Sequence, residues 1–548
     1  MHSRLFWLLV VVIALVAALG LRLPRLAQRP MHTDESIHAD KFNTLWQEGR
    51  YEYDPQDFHG PTIYYAAVPI VWLSGARTYS EMTETMFRLV PVIFGAGLVI
   101  LTALAAGAMG RPAAAVAALL VAISPAMVFY SRYYIQEMLL VFFTFAAILA
   151  GYRHLMTRRI LWAVACGAAL GLMHATKETA AIAWVAMTAA GGAVLLWITW
   201  AQGRPPAPAE EQAIAPPPDA SRRLRPLLVP GIVAFIVLLV VSGAVVSNGF
   251  THPRAVLDSW LTYLNYARRA GGAQIHDHPW PFYLQLLAGG KWQWTTILQR
   301  PFSAVPAYSE AVILILAAVG FVFAMVGRGL GGANVWFLRF LAIYTVALTV
   351  IYSIIPYKTP WCALGFLHGM ILLAGVGAAA LIRLARWRVL QVVAGAIVLA
   401  PAGQLGWQAY TANFRYPTDR RNPYVYAHPS NSVLRLVQRI GDFARFDPLG
   451  RDMLIQVITS AEDCWPLPWY LRHYTRVGYP HEPPPALIGS VLVLSGEMQE
   501  ALPPELAAEL ARSYTGSHFG LRPGVVLQVY ARNELWQAWQ KSLEGESR

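Results

Sequence analysis

The chain has 548 residues, 56% hydrophobic and only 14% charged, with a formal net charge of +12 and a mean hydropathy of +0.42. Soluble domains carry about 25% charged residues, so a chain this poor in charge buries its apolar surface in lipid, which excludes a soluble protein. The positive balance does not point to nucleic acid, because no basic run is interleaved with aromatics; arginines in short loops beside apolar spans explain it.

An apolar run from Leu5 to Leu21 follows Arg4 and ends on Arg22, Leu23, Pro24 and Arg25. A signal-peptide cleavage site of small residues is missing there, so the run predicts a retained signal anchor and first membrane helix. Ten further segments approach the roughly 20 apolar residues that cross a bilayer: 88–109, 112–130, 136–152, 160–176, 179–200, 227–247, 308–327, 336–355, 361–381 and 389–407. The run 61–76 (PTIYYAAVPIVWLSGA) is short and broken by Pro69, and counting it as a span would reverse every later orientation. Loop charge decides the matter. With about eleven spans and a cytoplasmic N-terminus, the inner loops hold Arg111, Arg153, Arg158, Arg159, Arg204, Arg222, Arg223, Arg225, Arg328, Arg383, Arg386 and Arg388. The short outer turns hold just Arg132, Lys177 and Lys358, so 61–76 reads as re-entrant or interfacial.

The expected architecture is an α-helical polytopic membrane protein of the plasma membrane. Residues 1–407 form its membrane domain, with outer loops 22–87 and 248–307 and a Pro/Ala-rich, disordered cytoplasmic linker at 201–226. The tail 408–548 combines a helical pattern over 430–446 with the short apolar runs LIQVIT, SVLVL and VVLQVYA, which predicts a small extracytoplasmic α/β domain. No internal repeat is present, and Cys166, Cys362 and Cys464 make no disulfide framework.

Under this topology the ionisable residues nearest the membrane share the outer face. They are Asp34 and Glu35, between His32 and His38, in MHTDESIHAD; Asp57 and His59 in QDFHGPTIYY; Arg132 and Glu137 in YSRYYIQEM; Lys177 and Glu178 in HATKETA; and Lys358 in IIPYKTPW. Such groups are costly at membrane depth and usually functional. Carboxylates beside Lys and Arg suit general-base catalysis with recognition of a phosphate leaving group. The chain has no phosphate loop ending in Lys-Ser/Thr, no Gly-x-Ser-x-Gly and no His-Glu-x-x-His, so a lipid-linked phosphate donor fits better than a nucleotide.

Plainer readings stand beside these. Thr33, Asp34 or Ser36 can cap a helix running through 48; Arg132 can anchor at headgroups with Glu137 as its partner. Lys177 and Glu178 can pair with each other, Lys358 can snorkel, and His59 can be a turn residue. His276, Asp277 and His278 in IHDHPWPFY have metal-ligand spacing but no evident further ligand. Trp260, Trp280, Trp292 and Trp294, with Tyr263 and Tyr266, suit an interfacial aromatic belt more than sugar stacking.

The ordered set of a first helix, an Asp-Glu in the first outer loop, a His-Gly-Pro with following tyrosines and a Ser-Arg-Tyr…Glu resembles the GT-C membrane glycosyltransferases, in particular the protein-mannosyltransferase-like, polyprenyl-phosphate-sugar-dependent subgroup. DESIH, HGP, KETA, PYKTPW and the tail's DCWPLPWYLR together resemble a bacterial and archaeal family named for association with lipid-linked oligosaccharide flippase activity. The resemblance implies a GT-C-like fold. It further implies inverting transfer of mannose or a similar hexose from a polyprenyl-phosphate donor to a glycan, lipid or protein acceptor. By the same resemblance Asp34 is the base on the acceptor, Glu35 shapes the site, Arg132 and Glu137 lie near the donor, and Lys177 and Lys358 bind the lipid phosphate. His38, Asp57, His59 and Glu178 are expected around the substrate. The sequence departs from the pattern at Lys-Glu-Thr-Ala, where mannosyltransferases follow the basic residue with an aromatic and a small residue. No motif demands a cofactor and no metal ligand is assigned, although a divalent metal stays open. The alternative class is a non-catalytic, flippase-associated factor that handles lipid-linked glycans. An ion-coupled transporter ranks last, because paired broken helices in two related halves are not evident.

Overall fold

The computed structural model describes residues 2–546 apart from 57–58, 203–227, 270–275, 301, 303–305 and 386. Asp57 and nearly all of the expected linker therefore lie outside the described residues. In lipid every backbone donor must find its acceptor within its own segment, so the long apolar stretches become helices. α1 (His2–Arg22) leads through α2 (Thr33–Glu48) and α3 (Thr62–Ser74) to α4 (Glu84–Leu104), α5 (Ala106–Met109), α6 (Arg111–Ile123) and α7 (Pro125–Tyr130). Then follow α8 (Glu137–Thr157), α9 (Ile160–His174), α10 (Ala180–Gln202) and α11 (Leu228–Val246). Three shorter helices, α12 (Arg254–Arg269), α13 (Phe282–Ala288) and α14 (Lys291–Gln299), precede α15 (Ala311–Val326), α16 (Val335–Ile354), α17 (Leu364–Leu384) and α18 (Arg388–Tyr410).

Seven helices are long and apolar enough to cross a membrane, and five shorter apolar helices accompany them among the described residues. The 13-residue α3 is only about 20 Å long at 1.5 Å per residue, short of a hydrocarbon core of roughly 30 Å. One expected span differs in form. The run 112–130 is not a single helix, because Ser124 and Pro125 divide α6 from α7. The Ser124 hydroxyl accepts from the Met127 N–H at 3.3 Å, and a proline at the first helical position has no N–H to satisfy. Elsewhere the bundle closes on small residues. A side chain at Gly320 of α15 would lie 1.9 Å from the Leu373 carbonyl oxygen of α17, so only glycine permits that approach.

The tail folds on a five-stranded sheet in the order β2-β1-β3-β5-β4, with β1 (Ile455–Ile458), β2 (Val477–Gly478), β3 (Val491–Ser495), β4 (Tyr514–Arg522) and β5 (Val525–Arg532). β1 is parallel to β2 and β3, whereas β5 runs antiparallel to β3 and β4. β1 and β3 are buried on both faces, as continuous apolar runs predict for parallel central strands. α19 (Ser432–Ala444), α20 (Leu467–Tyr470), α21 (Gly496–Glu500), α22 (Pro504–Ser513) and α23 (Asn533–Glu546) complete this domain.

Candidate active site

The two neighbouring acids of the first loop have opposite environments. α2 opens with a capping box: His32 Nδ1 accepts from the Asp34 N–H at 3.1 Å, and Glu35 reaches back to the His32 N–H at 2.9 Å. Glu35 is 0% exposed and also accepts from Arg88 Nε (2.8 Å) and Nη2 (2.7 Å), Arg29 Nη2 (3.3 Å) and the Tyr134 N–H (3.0 Å). Burial alone would raise the Glu35 carboxyl, but Arg88 and Arg29 overcome it and hold the group far below the usual carboxylate range. Arg88 also binds the carbonyls of Leu26 (2.5 Å), Arg29 (3.1 Å) and Pro30 (3.0 Å), so residues 26–30 wrap around its guanidinium. A carboxylate so engaged anchors the loop and is not placed to take protons from a substrate. Asp34 keeps 29% of its side chain exposed, with Oδ2 3.6 Å from His32 Nδ1.

The His-Gly-Pro and Lys-Glu-Thr-Ala stretches dock on each other. A Cβ at Gly60 would lie 2.1 Å from the Ala175 carbonyl oxygen, and that same oxygen accepts from the Thr62 N–H (3.2 Å) and hydroxyl (2.7 Å). His59 Nδ1 meets Glu178 Oε2 at 2.7 Å. Burial would raise the Glu178 carboxyl, but His59 beside it brings it below its ordinary value. Lys177 turns the other way and donates to Glu137 Oε1. Successive turn residues thus bind different elements instead of each other. His38 is buried, with Nδ1 facing the Tyr64 hydroxyl at 3.0 Å. Burial, then the positive neighbours His59, Lys41 and Lys177, push its imidazole well below the ordinary value, so it packs α2 on α3 rather than facing a substrate.

Arg132, expected near the donor, and Lys358, expected at the lipid phosphate, both donate to backbone carbonyls. Arg132 donates to the carbonyls of Arg22 (2.7 Å), Pro24 (2.8 Å) and Arg25 (3.2 Å), and its guanidinium lies 4.7 Å from the Phe414 ring centroid. The last carbonyls of a helix have no partners within it, and Arg132 supplies them for α1. Lys358 donates to Ile355 (2.5 Å), His278 (2.9 Å) and Pro356 (3.5 Å) carbonyls. Arg132→Gln is accordingly expected to cost about 1–3 kcal/mol through carbonyls left unpaired. Earlier thermal inactivation with an unaltered donor KM would show this.

Several functional neighbours carried weaker sequence signals. Arg88 stands alone in the apolar FRLVPVIF, a pattern that marks a buried charge. Glu310, heading α15, accepts from Ser124 Oγ (2.6 Å), the Ala126 N–H (2.9 Å) and the Tyr424 hydroxyl (2.9 Å). From the tail, the Tyr470 hydroxyl accepts from the Met31 N–H at 2.8 Å, and Trp469 Nε1 donates to Glu84 Oε1 at 2.9 Å. These partners are far apart in the chain, so no local pattern announced them.

Beside this cluster a narrow apolar cleft opens between α8, α10, α16 and α17, lined by Glu137, Leu140, Val141, Thr179, Tyr344 and Trp361 among others. It shares Val141, Thr144, Tyr344 and Gly365 with a second hollow that continues past Ile148, Leu341 and Leu372. Trp361 lies edge-on to His32 with ring centroids 5.8 Å apart, which joins the cleft to the start of α2. Tyr357 feels the charges of both Lys177 and Asp34, while burial, its largest influence, pushes its phenol up to about 12. Among the described residues, no three His, Cys, Asp or Glu side chains are grouped to hold a metal ion. His276 Nδ1 and His278 Nε2 instead face the Tyr426 hydroxyl at 2.6 and 3.3 Å.

The fold, a helical membrane bundle with a small sheet domain on its tail, is similar to that of solved membrane glycosyltransferases. The sequence profile of the dolichyl-phosphate-mannose-protein mannosyltransferase family matches residues 12–205, a stretch that holds Asp34, Glu35, Arg132, Glu137 and Lys177. No curated protein matches the chain in sequence. In solved structures the fold is similar to ArnT from Cupriavidus metallidurans bound to undecaprenyl phosphate, at 14% identity and a TM-score of 0.56, covering 95% of this chain and 97% of that one. It is also similar to the archaeal oligosaccharyltransferase AglB from Archaeoglobus fulgidus, in complex with an inhibitory peptide and a dolichol-phosphate. That likeness has 14% identity and a TM-score of 0.53 over 95% of this chain and 74% of that one.

Proposed function

We propose that the protein transfers a hexose of the mannose type from a polyprenyl-phosphate donor to an acceptor hydroxyl, with inversion, on the outer face of the membrane. The observation that carries this reading is the apolar cleft lined by Glu137, which pairs with Lys177, and by Trp361, whose ring neighbour His32 meets the part-exposed Asp34. The apolar lining of the cleft suits a polyprenyl chain, whose phosphate would be drawn to Lys177 beside the lining residue Glu137. Until then Glu137 compensates that buried ammonium, which would be costly unpaired. Asp34 takes the acceptor proton as the hydroxyl oxygen bonds the sugar C1. The C1–O bond to phosphate breaks, and the polyprenyl phosphate leaves with the bonding electrons. Lys177 meets the charge that grows on it. A single displacement inverts the anomeric centre. The lipid phosphates bound by ArnT and AglB support a donor of this class. The concentration of arginines in the loops on the opposite side supports the outer location. Residues 1–407 would hold the donor and the chemistry, while 408–548 would brace the first loop.

A flippase-associated factor without chemistry would bind the same lipid but leave it intact. The purified protein, given radiolabelled polyprenyl-phosphate mannose and an envelope extract as acceptor, is expected to release free polyprenyl phosphate. Binding of the donor with no release would favour the non-catalytic factor.

A further inference from the structure

His32 is only 4% exposed and is held at both ring nitrogens. Nδ1 accepts from the Asp34 N–H at 3.1 Å, and Nε2 faces the Tyr426 carbonyl oxygen at 3.2 Å. A carbonyl can only accept, so Nε2 carries the hydrogen and Nδ1 keeps its lone pair. The two contacts demand the same tautomer. That lone pair belongs to the nitrogen 3.6 Å from Asp34 Oδ2. We propose that His32 is a positioning residue that holds Asp34 at the start of α2 and receives the proton Asp34 abstracts, an assignment that rests on Asp34 being the base.

The proton balance is simple. The acceptor O–H breaks, its electrons form the new C–O bond, and the proton goes to Asp34 Oδ2. The Oδ2–H bond then breaks as Nδ1–H forms, so a carboxylate again faces the substrate beside an imidazolium. The Asp34 N–H gives up Nδ1, and the imidazolium donates to Oδ2 and to the Tyr426 carbonyl. The groups around the ring can support that exchange. Asp34 and Glu35 approach from α2 and Arg29 from the preceding loop. Tyr133 at 6.1 Å, Trp361 at 5.8 Å and His428 at 4.7 Å between centroids wall it off from other bases. Burial, then His32 and Arg29, push the His428 imidazole well below its ordinary value, so it stays neutral. Glu35 already belongs to Arg88 and Arg29, which leaves Asp34 as the carboxylate that can exchange a proton with His32. Because the Tyr426 carbonyl sets the tautomer, the tail contributes directly to the site.

His32→Asn and His32→Ser test this. Both residues are favoured helix caps that can accept from the Asp34 N–H, and neither can take up the proton. Full-length protein of each variant, of Asp34→Asn and of wild type is assayed with polyprenyl-phosphate mannose across pH, alongside thermal unfolding. The expected result is a kcat lower by about tenfold or more in both His32 variants with donor KM unchanged, beyond a modest fall in unfolding temperature from the vacated Tyr426 carbonyl. The acid-side fall in rate should differ from that of wild type in both His32 variants. Inactive Asp34→Asn with wild-type kcat and pH profile in the His32 variants would overturn the proposal. Early unfolding with the acid-side fall intact would do the same, by making His32 only a cap. Turnover by Asp34→Asn at the wild-type rate would overturn the Asp34 reading itself.

Discussion

Glu35→Ala is expected to destabilise the folded protein by about 3–5 kcal/mol, the usual cost of removing one partner from a buried ion pair. Its carboxylate is wholly buried and lies between Arg88 and Arg29. Removal leaves both guanidiniums in the interior without a counter-charge, including the Arg88 guanidinium that the turn 26–30 wraps. Glu35→Gln keeps the shape but not the charge, so it should fall between wild type and the alanine variant. Thermal unfolding in detergent, followed by tryptophan fluorescence, measures the order. The pH dependence has a definite sign. Because folding depresses the Glu35 carboxyl, the pair's contribution is complete above the ordinary carboxylate range. It is lost only as pH falls far below that range. The advantage of wild type over Glu35→Gln should therefore be full at neutral pH and shrink as the pH falls below the ordinary carboxylate range.

Asp34→Asn should behave in the opposite way. The side chain is part-exposed and its ionisable neighbour His32 lies at 3.6 Å, so the fold does not depend on its charge. Asparagine is also a good residue at the start of a helix. Loss of a positioned general base lowers turnover by about 10²–10⁴-fold. Released polyprenyl phosphate should drop by that factor while the unfolding temperature stays at the wild-type value. Adjacent acids with contrasting phenotypes, one unstable and one inert, would separate anchoring from chemistry. Wild-type turnover in this variant would remove Asp34 from the mechanism.

What could be read in the chain follows the range of each interaction. Periodic and continuous apolar segments announce helices locally, and residues 227–247 or 336–355 emerge close to where they were expected. Ser124–Pro125 carries a clear break signal, yet the apolar residues on both sides hid it in a single run. In the tail LIQVIT and SVLVL become β1 and β3, whereas β4 (YTGSHFGLR) lacks an apolar run and owes its form to pairing with β5. At the site the types of residue and their shared end of the bundle were visible. Their partners were not. Arg132 and Lys358 looked like donor-site residues because a cation at a helix end can serve a phosphate or a carbonyl equally well. Only the fold shows which acceptors are in reach: Arg22, Pro24 and Arg25 for one, His278 and Ile355 for the other. The docking of Trp469 and Tyr470 near the first loop joins segments hundreds of positions apart and has no local trace.

The central claim is that position 34 lies at a donor site reached from outside the cell. It is tested most directly by placing a cysteine there, Asp34→Cys, in a background whose three native cysteines are replaced, and treating intact cells with a membrane-impermeant maleimide. The account predicts labelling in intact cells and protection of the purified variant by polyprenyl-phosphate mannose. Labelling that appears only after the membrane is opened, or that donor lipid leaves unchanged, would contradict it.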